Sequence, residues 1–301
     1  MYHNLDAKPH LIRNNKIKSI YSSLRIEANS LTIGEMKDVI DGKIVLGPKR
    51  EIQEVKNAFQ AYDMVKTLDP YSLNDLKKVH GVMGNMLEID AGYFRKGDEG
   101  VFNGKECIFM APPPHLVTKL MSDLFSWMNE NKKKVHPLIM SAVFHYEFVF
   151  IHPFSDGNGR MARLWHTAIL TKWNPIFEFI PIESQVEKFQ DEYYKAIADC
   201  HINGHSDIFI EFMLKQIDAI LDDVIVQIQR PEDVLSEYVK RLLDVMEFEV
   251  PYTAKTIMAM LGIKSRETFR KNYLDPALKL GMVVRTIPEK PNSKNQRYVK
   301  N

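Results

Sequence analysis

From Lys49 to Ile228, apolar residues return every three or four positions in one segment after another, which confines this part of the chain to packed helices. The spacing predicts helices over Lys49–Thr67, Leu116–Asn129, Pro137–Phe150, Ser184–Cys200 and Asp207–Ile228. Thr32 with Glu35, and Ser72 with Asp75, have the separation of helix-starting capping pairs. The helical period fails between Gly92 and Ala111. There Tyr93, Phe94, Val101, Phe102, Ile108 and Phe109 are interrupted by Gly97, Gly100 and Gly104, and Asn103-Gly104 is a hairpin turn signal. Pro112-Pro113-Pro114 stops the hairpin and opens the next helix. The expected fold class is mainly α, a helical domain with one β-hairpin.

The pattern resets near Gln229-Arg230-Pro231, dividing the chain into residues 1–230 and 231–301. The second part reads as helices over Glu232–Glu247, Thr253–Leu261 and Ser265–Tyr273, then strands over Leu280–Ile287 and Gln296–Val299 around a polar turn. Three helices and a two-stranded ribbon is a winged helix-turn-helix layout. Lys255–Asn301 holds 11 Lys or Arg against 3 acids, a local excess of +8 in a chain of net charge +1. DNA binding through this domain, with Ser265–Lys271 as recognition helix, is therefore one open function; docking of a protein is another. The whole-chain balance of 40 basic to 39 acidic residues excludes a global pull toward nucleic acid or anionic membrane. Cys107 and Cys200 are too few for a disulfide framework or zinc cluster, which fits a reducing, cytoplasmic setting. The first ten residues have no apolar signal core, and the runs at Phe148–Ile151 and Ile176–Ile180 are too short for a membrane span.

One segment concentrates chemistry: Ile151-His-Pro-Phe-Ser-Asp-Gly-Asn-Gly-Arg160-Met-Ala-Arg163. A Gly157-Asn158-Gly159 turn that opens a helix aims backbone N–H groups at one point, where the helix dipole adds positive character. Arg160 and Arg163, three apart, can face the same anion and offer it bidentate contacts. Asp156 is a hard oxygen ligand placed for Mg²⁺ on a polyphosphate. His152 has the pKa range of a base for a hydroxyl proton near neutral pH. Together they point to transfer from a nucleoside polyphosphate.

The run His152-Pro-Phe-Ser-Asp-Gly-Asn-Gly-Arg160 resembles the signature of the Fic-domain family, and the resemblance continues through Gly92-Tyr-Phe-Arg95, the hairpin, the triple proline, Ala142–His145 and Tyr193–Ala196. It implies a helical protein adenylyltransferase that moves AMP from ATP, with Mg²⁺ or Mn²⁺, onto a Ser, Thr or Tyr hydroxyl of a protein, itself included; a homodimer is left open. His152 would be the base and Asp156 the metal ligand. The backbone of Gly157–Gly159 with the Asn158 side chain would bind phosphate, Arg160 would take its β,γ end, and Phe154 would anchor the loop. The related Doc kinases have Ala-Asn-Lys where this chain has Gly157-Asn158-Gly159, so AMP transfer is expected. The resemblance makes the hairpin a flap, with Gly104, Lys105, Glu106, Cys107 and Ile108 at its tip, that pairs with a target segment by strand addition. Tyr193, Tyr194 and His201 would flank adenine.

Upstream, Ser22-Ser23-Leu-Arg-Ile-Glu27-Ala-Asn29 resembles the family's inhibitory helix, Ser/Thr-x-x-x-Glu-Gly/Asn, with Ala28 standing where Gly or Asn is expected. Ser23 and Glu27 share a helical face. Glu27 is expected to pair with Arg163 and take the place of the γ-phosphate, and Glu27→Gly to leave stability nearly unchanged. Two alternatives stay open: a DNA-binding regulator with the helical domain as sensor, and removal rather than addition of AMP by an acid that orients water.

Overall fold

The computed structural model describes residues 9–103, 106–229, 236–247, 250–291 and 293–300. It falls into two units, Met1–Gln227 and Ile228–Asn301. The first holds α1 (Pro9–Ile26), α2 (Ile33–Ile40), α3 (Lys49–Asp63), α4 (Leu73–Met83), the hairpin β1 (Gly100–Asn103) and β2 (Glu106–Met110), α5 (Pro114–Asn131), α6 (Pro137–Ile151), α7 (Asn158–Trp173), α8 (Ile182–Lys188), α9 (Gln190–Asn203) and α10 (Asp207–Gln229). Helix α7 lies at the centre, buried on nearly every face from Asn158 to Thr171. Helix α6 packs along it, bringing Phe144 and Phe148 to Met161, Leu164 and Trp165 in the main core. Burying such side chains contributes about 1.5–3 kcal/mol each. The two helices are joined by only six residues, 152–157, so the core fixes both ends of the loop expected to carry the chemistry. No helix of the described residues is long and apolar enough to cross a membrane.

Local signals explain most boundaries. Thr32 and Glu35 form a full capping box: the Glu35 N–H donates to Thr32 Oγ1 at 3.2 Å and the Thr32 N–H to Glu35 Oε2 at 2.8 Å. Ser72 caps α4 through the Asp75 N–H, but Asp75 turns away to accept from the Asp69 N–H at 2.7 Å. The helix expected over Ser184–Cys200 is two. Phe189 leaves helical geometry (φ −116°, ψ 43°) between α8 and α9, and α8 packs against α1. The hairpin strands pair antiparallel, Gly100 with Met110 and Asn103 with Glu106, with a register shift between Val101 and Phe102. Gly104 and Lys105, at the expected flap tip, lie outside the described residues.

The second unit holds α11 (Glu237–Val245), α12 (Ala254–Met260), α13 (Arg266–Thr268), a π-helical Phe269–Leu274, α14 (Asp275–Lys279) and the antiparallel pair β3 (Val283–Arg285) and β4 (Tyr298–Lys300). Helix α11 is capped by Ser236 through the Val239 N–H, and the expected start at Glu232 lies outside the described residues. The helix expected to end at Tyr273 runs on to Lys279 through Pro276. Pro276 is tolerated because it falls in the first turn of α14, directly after the wider π turn, where its missing N–H is least needed. The strand expected from Leu280 shrinks to three residues, and Tyr252 pairs with Tyr298 as an isolated bridge. Phe269, Tyr273, Leu242 and Val283 form this unit's own core.

Helix α1 ends in a Schellman turn: the Asn29 N–H donates to Leu24 O at 3.1 Å and the Ala28 N–H to Arg25 O at 2.9 Å. Ala28 thereby takes a left-handed φ of 62°, which explains why glycine or asparagine suits this position. We expect Ala28→Gly to stabilise the protein by about 1 kcal/mol, through loss of the Cβ clash. Urea unfolding checks this, and a lowered midpoint would contradict it.

His145 on α6 and His166 on α7 are buried rings, His145 in a hydrogen bond of 2.9 Å with the Tyr193 hydroxyl. Burial pushes both below the usual histidine range, His166 to about 4. A histidine depressed in the folded state is protonated first in the unfolded chain, so its contribution is complete above about pH 6.5 and is lost as pH falls toward 4. Unfolding free energy should drop by on the order of 3 kcal/mol across that window from His166 alone. Denaturant titrations at pH 7 and 4.5 measure it, with a shallower slope in His166→Leu; a flat profile would refute it.

Candidate active site

The loop after α6 is held from inside. Phe154 is fully buried and stacks on His80 with ring centroids 3.6 Å apart and planes 3° from parallel. The Gly92 N–H donates to His80 Nδ1 at 2.8 Å, so Nδ1 is the acceptor and Nε2 carries the proton it gives to Asp156 O at 3.0 Å. Burial lowers the His80 pKa and keeps it in that neutral form. The Asn158 side chain is committed to the same loop: it accepts from the Phe154 N–H at 3.0 Å and donates to Phe154 O at 2.7 Å. It was expected at a phosphate, but both ends of its amide brace the backbone instead. Gly157, at φ 77°, turns the chain into α7 with no side chain capping the helix. The first-turn amides of α7 therefore have the geometry to hold an anion.

His152 stands at the loop's beginning in a left-handed conformation (φ 50°, ψ 60°), half-buried. Its Nδ1 lies 3.3 Å from Val149 O. A carbonyl only accepts, so Nδ1 carries the proton and Nε2 keeps a free lone pair. Burial lowers its pKa, against the opposing pull of that carbonyl, Glu99 and Glu27 and with a further push from Arg95. A neutral imidazole with one unprotonated nitrogen is the form a general base needs.

Ser23 and Glu27 meet Arg163. The Arg163 Nη2 donates to Glu27 Oε1 at 2.6 Å and to Ser23 O at 3.0 Å, and its Nε to Ser23 Oγ at 3.0 Å. Burial opposes the Arg163 charge, but the Glu27 carboxylate together with Tyr193 and Tyr62 raises the pKa. The same carboxylate lies over the first turn of α7: a Cβ at Gly159 would fall 2.5 Å from Glu27 Oε1. Gly159 thus admits an anion against the helix start, and Glu27 is the anion there.

Beside it, Asp156 is paired twice: Oδ1 with Arg160 Nη2 at 3.0 Å and Oδ2 with Arg50 Nη2 at 2.8 Å. Burial works against its ionisation, yet Arg160, the Gly157 N–H and Arg50 hold its carboxyl below the usual range. Arg160 also faces Glu54 at 3.7 Å, and Arg50 faces Glu88 at 3.0 Å. Arg160 is thus turned to acids rather than left open. Among the described residues no three His, Cys, Asp or Glu form a metal cage. The donor set of one ionised carboxylate beside an anion nest instead fits Mg²⁺ delivered with substrate phosphates, which usually needs only one or two carboxylates.

The three residues expected around adenine are in different settings. Tyr193 is 2% exposed, tied to His145, and belongs to the core. Tyr194 is 47% exposed, and partial burial with the nearby Glu27 raises its pKa against the pull of Arg163. His201 stacks on Phe109 of β2 at 4.3 Å, under the hairpin. Glu106, Cys107 and Ile108, expected in the flap, lie on β2, which pairs with β1 as a hairpin.

His80, Arg50 and the role of Arg95 were missed in the sequence. His80 shares a face with Leu76, Val79 and Met83, and a histidine within an apolar stripe is the one signal that could have found it. Arg50 is an exposed helix residue with no distinguishing pattern.

Two protein-family models match the chain: the Fic/DOC family over residues 70–170, and the C-terminal domain of Fic-like proteins, "filamentation induced by cAMP", over residues 237–299. A Fic family protein from Desulfovibrio desulfuricans G20, known from its crystal structure, is 39% identical; the match has a TM-score of 0.71 and covers 100% of this chain and 90% of that one. Protein adenylyltransferase fic-1 of Caenorhabditis elegans and protein adenylyltransferase Fic of Nematostella vectensis are each 28% identical, over 221 and 224 residues. Those matches cover 69% and 70% of this chain but 41% and 49% of the relatives, so the chain spans less than half the length of either.

Proposed function

The chain belongs to the Fic family, and from that premise we propose that it is a protein adenylyltransferase, moving AMP from ATP to a hydroxyl side chain of a protein and restrained by its own Glu27. The observation that carries this reading is the uncapped start of α7, with Arg163 beside it and His152 leading into the same loop. The activity named for the matched relatives supports it.

In this mechanism His152 Nε2 takes the proton of the attacking hydroxyl while the oxygen approaches the α-phosphate in line. The bond to the α-phosphate forms as the bond to pyrophosphate breaks. Backbone N–H groups of Gly157–Gly159 receive the charge that grows on the phosphate oxygens; the loop is already braced by Asn158, Phe154 and His80, so little reorganisation accompanies the step. Asp156 would hold Mg²⁺ against the phosphates once Arg50 and Arg160 release it, and the ion's contribution is to neutralise charge on the leaving group. Glu27 opposes all this by occupying the anion position at Gly159 and the Arg163 guanidinium that a γ-phosphate would need. The hairpin presents the target's extended segment. We read the second unit as a winged helix-turn-helix that docks a protein; Glu267 interrupts the basic residues of Ser265–Lys271, and Asp275 beyond it faces Arg270 at 3.9 Å, which favours protein over DNA.

Incubating the protein with ATP, Mg²⁺ or Mn²⁺ and lysate, then mapping modified peptides by mass spectrometry, tests this. Glu27→Gly should raise AMP addition by about tenfold or more. His152→Ala in that background should lower it by roughly 10²–10⁴-fold. Undiminished adducts without His152 would eliminate the base, adducts of phosphate alone would make it a kinase, and loss of pre-formed adducts would mean AMP removal.

A further inference from the structure

Arg95 is a buried cation solvated by the backbone. It is 2% exposed, and its guanidinium donates to His152 O at 2.6 Å, Gly97 O at 2.7 Å, Pro112 O at 2.6 Å and Ile151 O at 3.4 Å. Its own N–H donates to Pro153 O at 2.9 Å. A buried charge needs such donors or acceptors in full. Two of these carbonyls belong to the C-terminal end of α6, the negative end of its dipole.

The acceptors come from three separate places. Ile151 and His152 end α6, Gly97 lies just before β1, and Pro112 just after β2. His152 is a non-glycine residue at φ 50°, a conformation that persists only where surrounding contacts over-determine it. Arg95 supplies such a contact, because one of its two shortest bonds grips the His152 carbonyl itself.

We propose that Arg95 is a positioning residue that locks the backbone of His152 to both roots of the hairpin, so that the base and the strand presenting the target keep one relative placement. This rests on the AMP-transfer reading. A planar five-donor fork can reach carbonyls in several directions; the point charge of lysine cannot reproduce it. Arg95 also adds positive charge near the His152 ring. The groups facing that ring are the Val149 carbonyl from α6, Glu99 from the hairpin root, Glu27 from α1 and Arg95; burial and Arg95 lower its pKa and the other three raise it. Removing the charge should therefore move His152 protonation, and the acid limb of the rate profile, to higher pH.

The test uses the full chain in the Glu27→Gly background, comparing Arg95→Gln and Arg95→Lys by kcat and KM for ATP per folded molecule, with NMR titration of the His152 ring. If the Glu27→Gly parent transfers no AMP, the transfer reading fails, and the NMR titration still reports on Arg95. With an active parent, Arg95→Gln should lower kcat by about 10²-fold, the scale of a 1 Å misplacement, while KM for ATP stays within about threefold. Its His152 should titrate at higher pH than in the parent. Arg95→Lys should keep the parent's titration yet recover only part of kcat. An unchanged kcat and an unmoved titration, with only a lowered melting temperature, would make Arg95 merely structural and overturn the proposal. Should Arg95→Gln fail to fold, Arg95→Lys decides alone: full kcat would overturn it.

Discussion

A guanidinium sealed beneath the surface constrains everything packed around it, and in this chain that group is Arg163, 3% exposed. Its charge cannot be left alone in the interior. Ser23 meets it with both hydroxyl and carbonyl, and Glu27 supplies the counter-charge. The neighbouring His145 and His166 stay neutral, so the positive charge remains on the arginine. Helix α1 is therefore part of the core architecture: Asn15 also donates to Phe179 O at 2.9 Å, and Gln190 to Ile26 O at 3.3 Å. Parting Glu27 from Arg163 need involve only the Glu27 side chain, at the strained turn around Ala28, with the rest of the helix in place.

This burial also revises one expectation. Taking away Glu27 leaves Arg163 with Ser23 and dipoles only, so its loss carries a stability cost of about 1–3 kcal/mol, reduced from that of a dry pair because Glu27 itself is about a third exposed. A second acid lies deeper in the same frame. Glu183 is buried and accepts from the Tyr62 hydroxyl at 2.9 Å and the Thr167 hydroxyl at 3.2 Å, with burial raising its pKa. It joins α3, α7 and α8 beneath the site.

The helical frame and the chemical loop were legible because each had a local cause. Apolar periodicity marks α3, α5, α6 and α10 to within a few residues, and the caps Thr32 and Ser72 mark the starts of α2 and α4. The Ser23–Glu27 spacing indicated the face that meets Arg163. What stayed hidden depends on tertiary geometry. Nothing local says that Asn158 turns its amide back to Phe154, that Tyr193 faces the core while Tyr194 faces out, or that Arg50 reaches 106 residues along the chain to Asp156. The break at Phe189 and the helix running through Pro276 escape for the same reason: packing overrides a local preference worth about 1–3 kcal/mol.

The central claim is that Glu27 and the terminal phosphate of ATP compete for one guanidinium. Titration calorimetry of ATP and ADP, on the natural chain and on Glu27→Gly, measures this directly. If the claim holds, the natural chain binds ATP and ADP with nearly equal affinity, and Glu27→Gly prefers ATP by about tenfold, the worth of one charge-assisted contact to phosphate. The same ATP-to-ADP ratio in both proteins would contradict it.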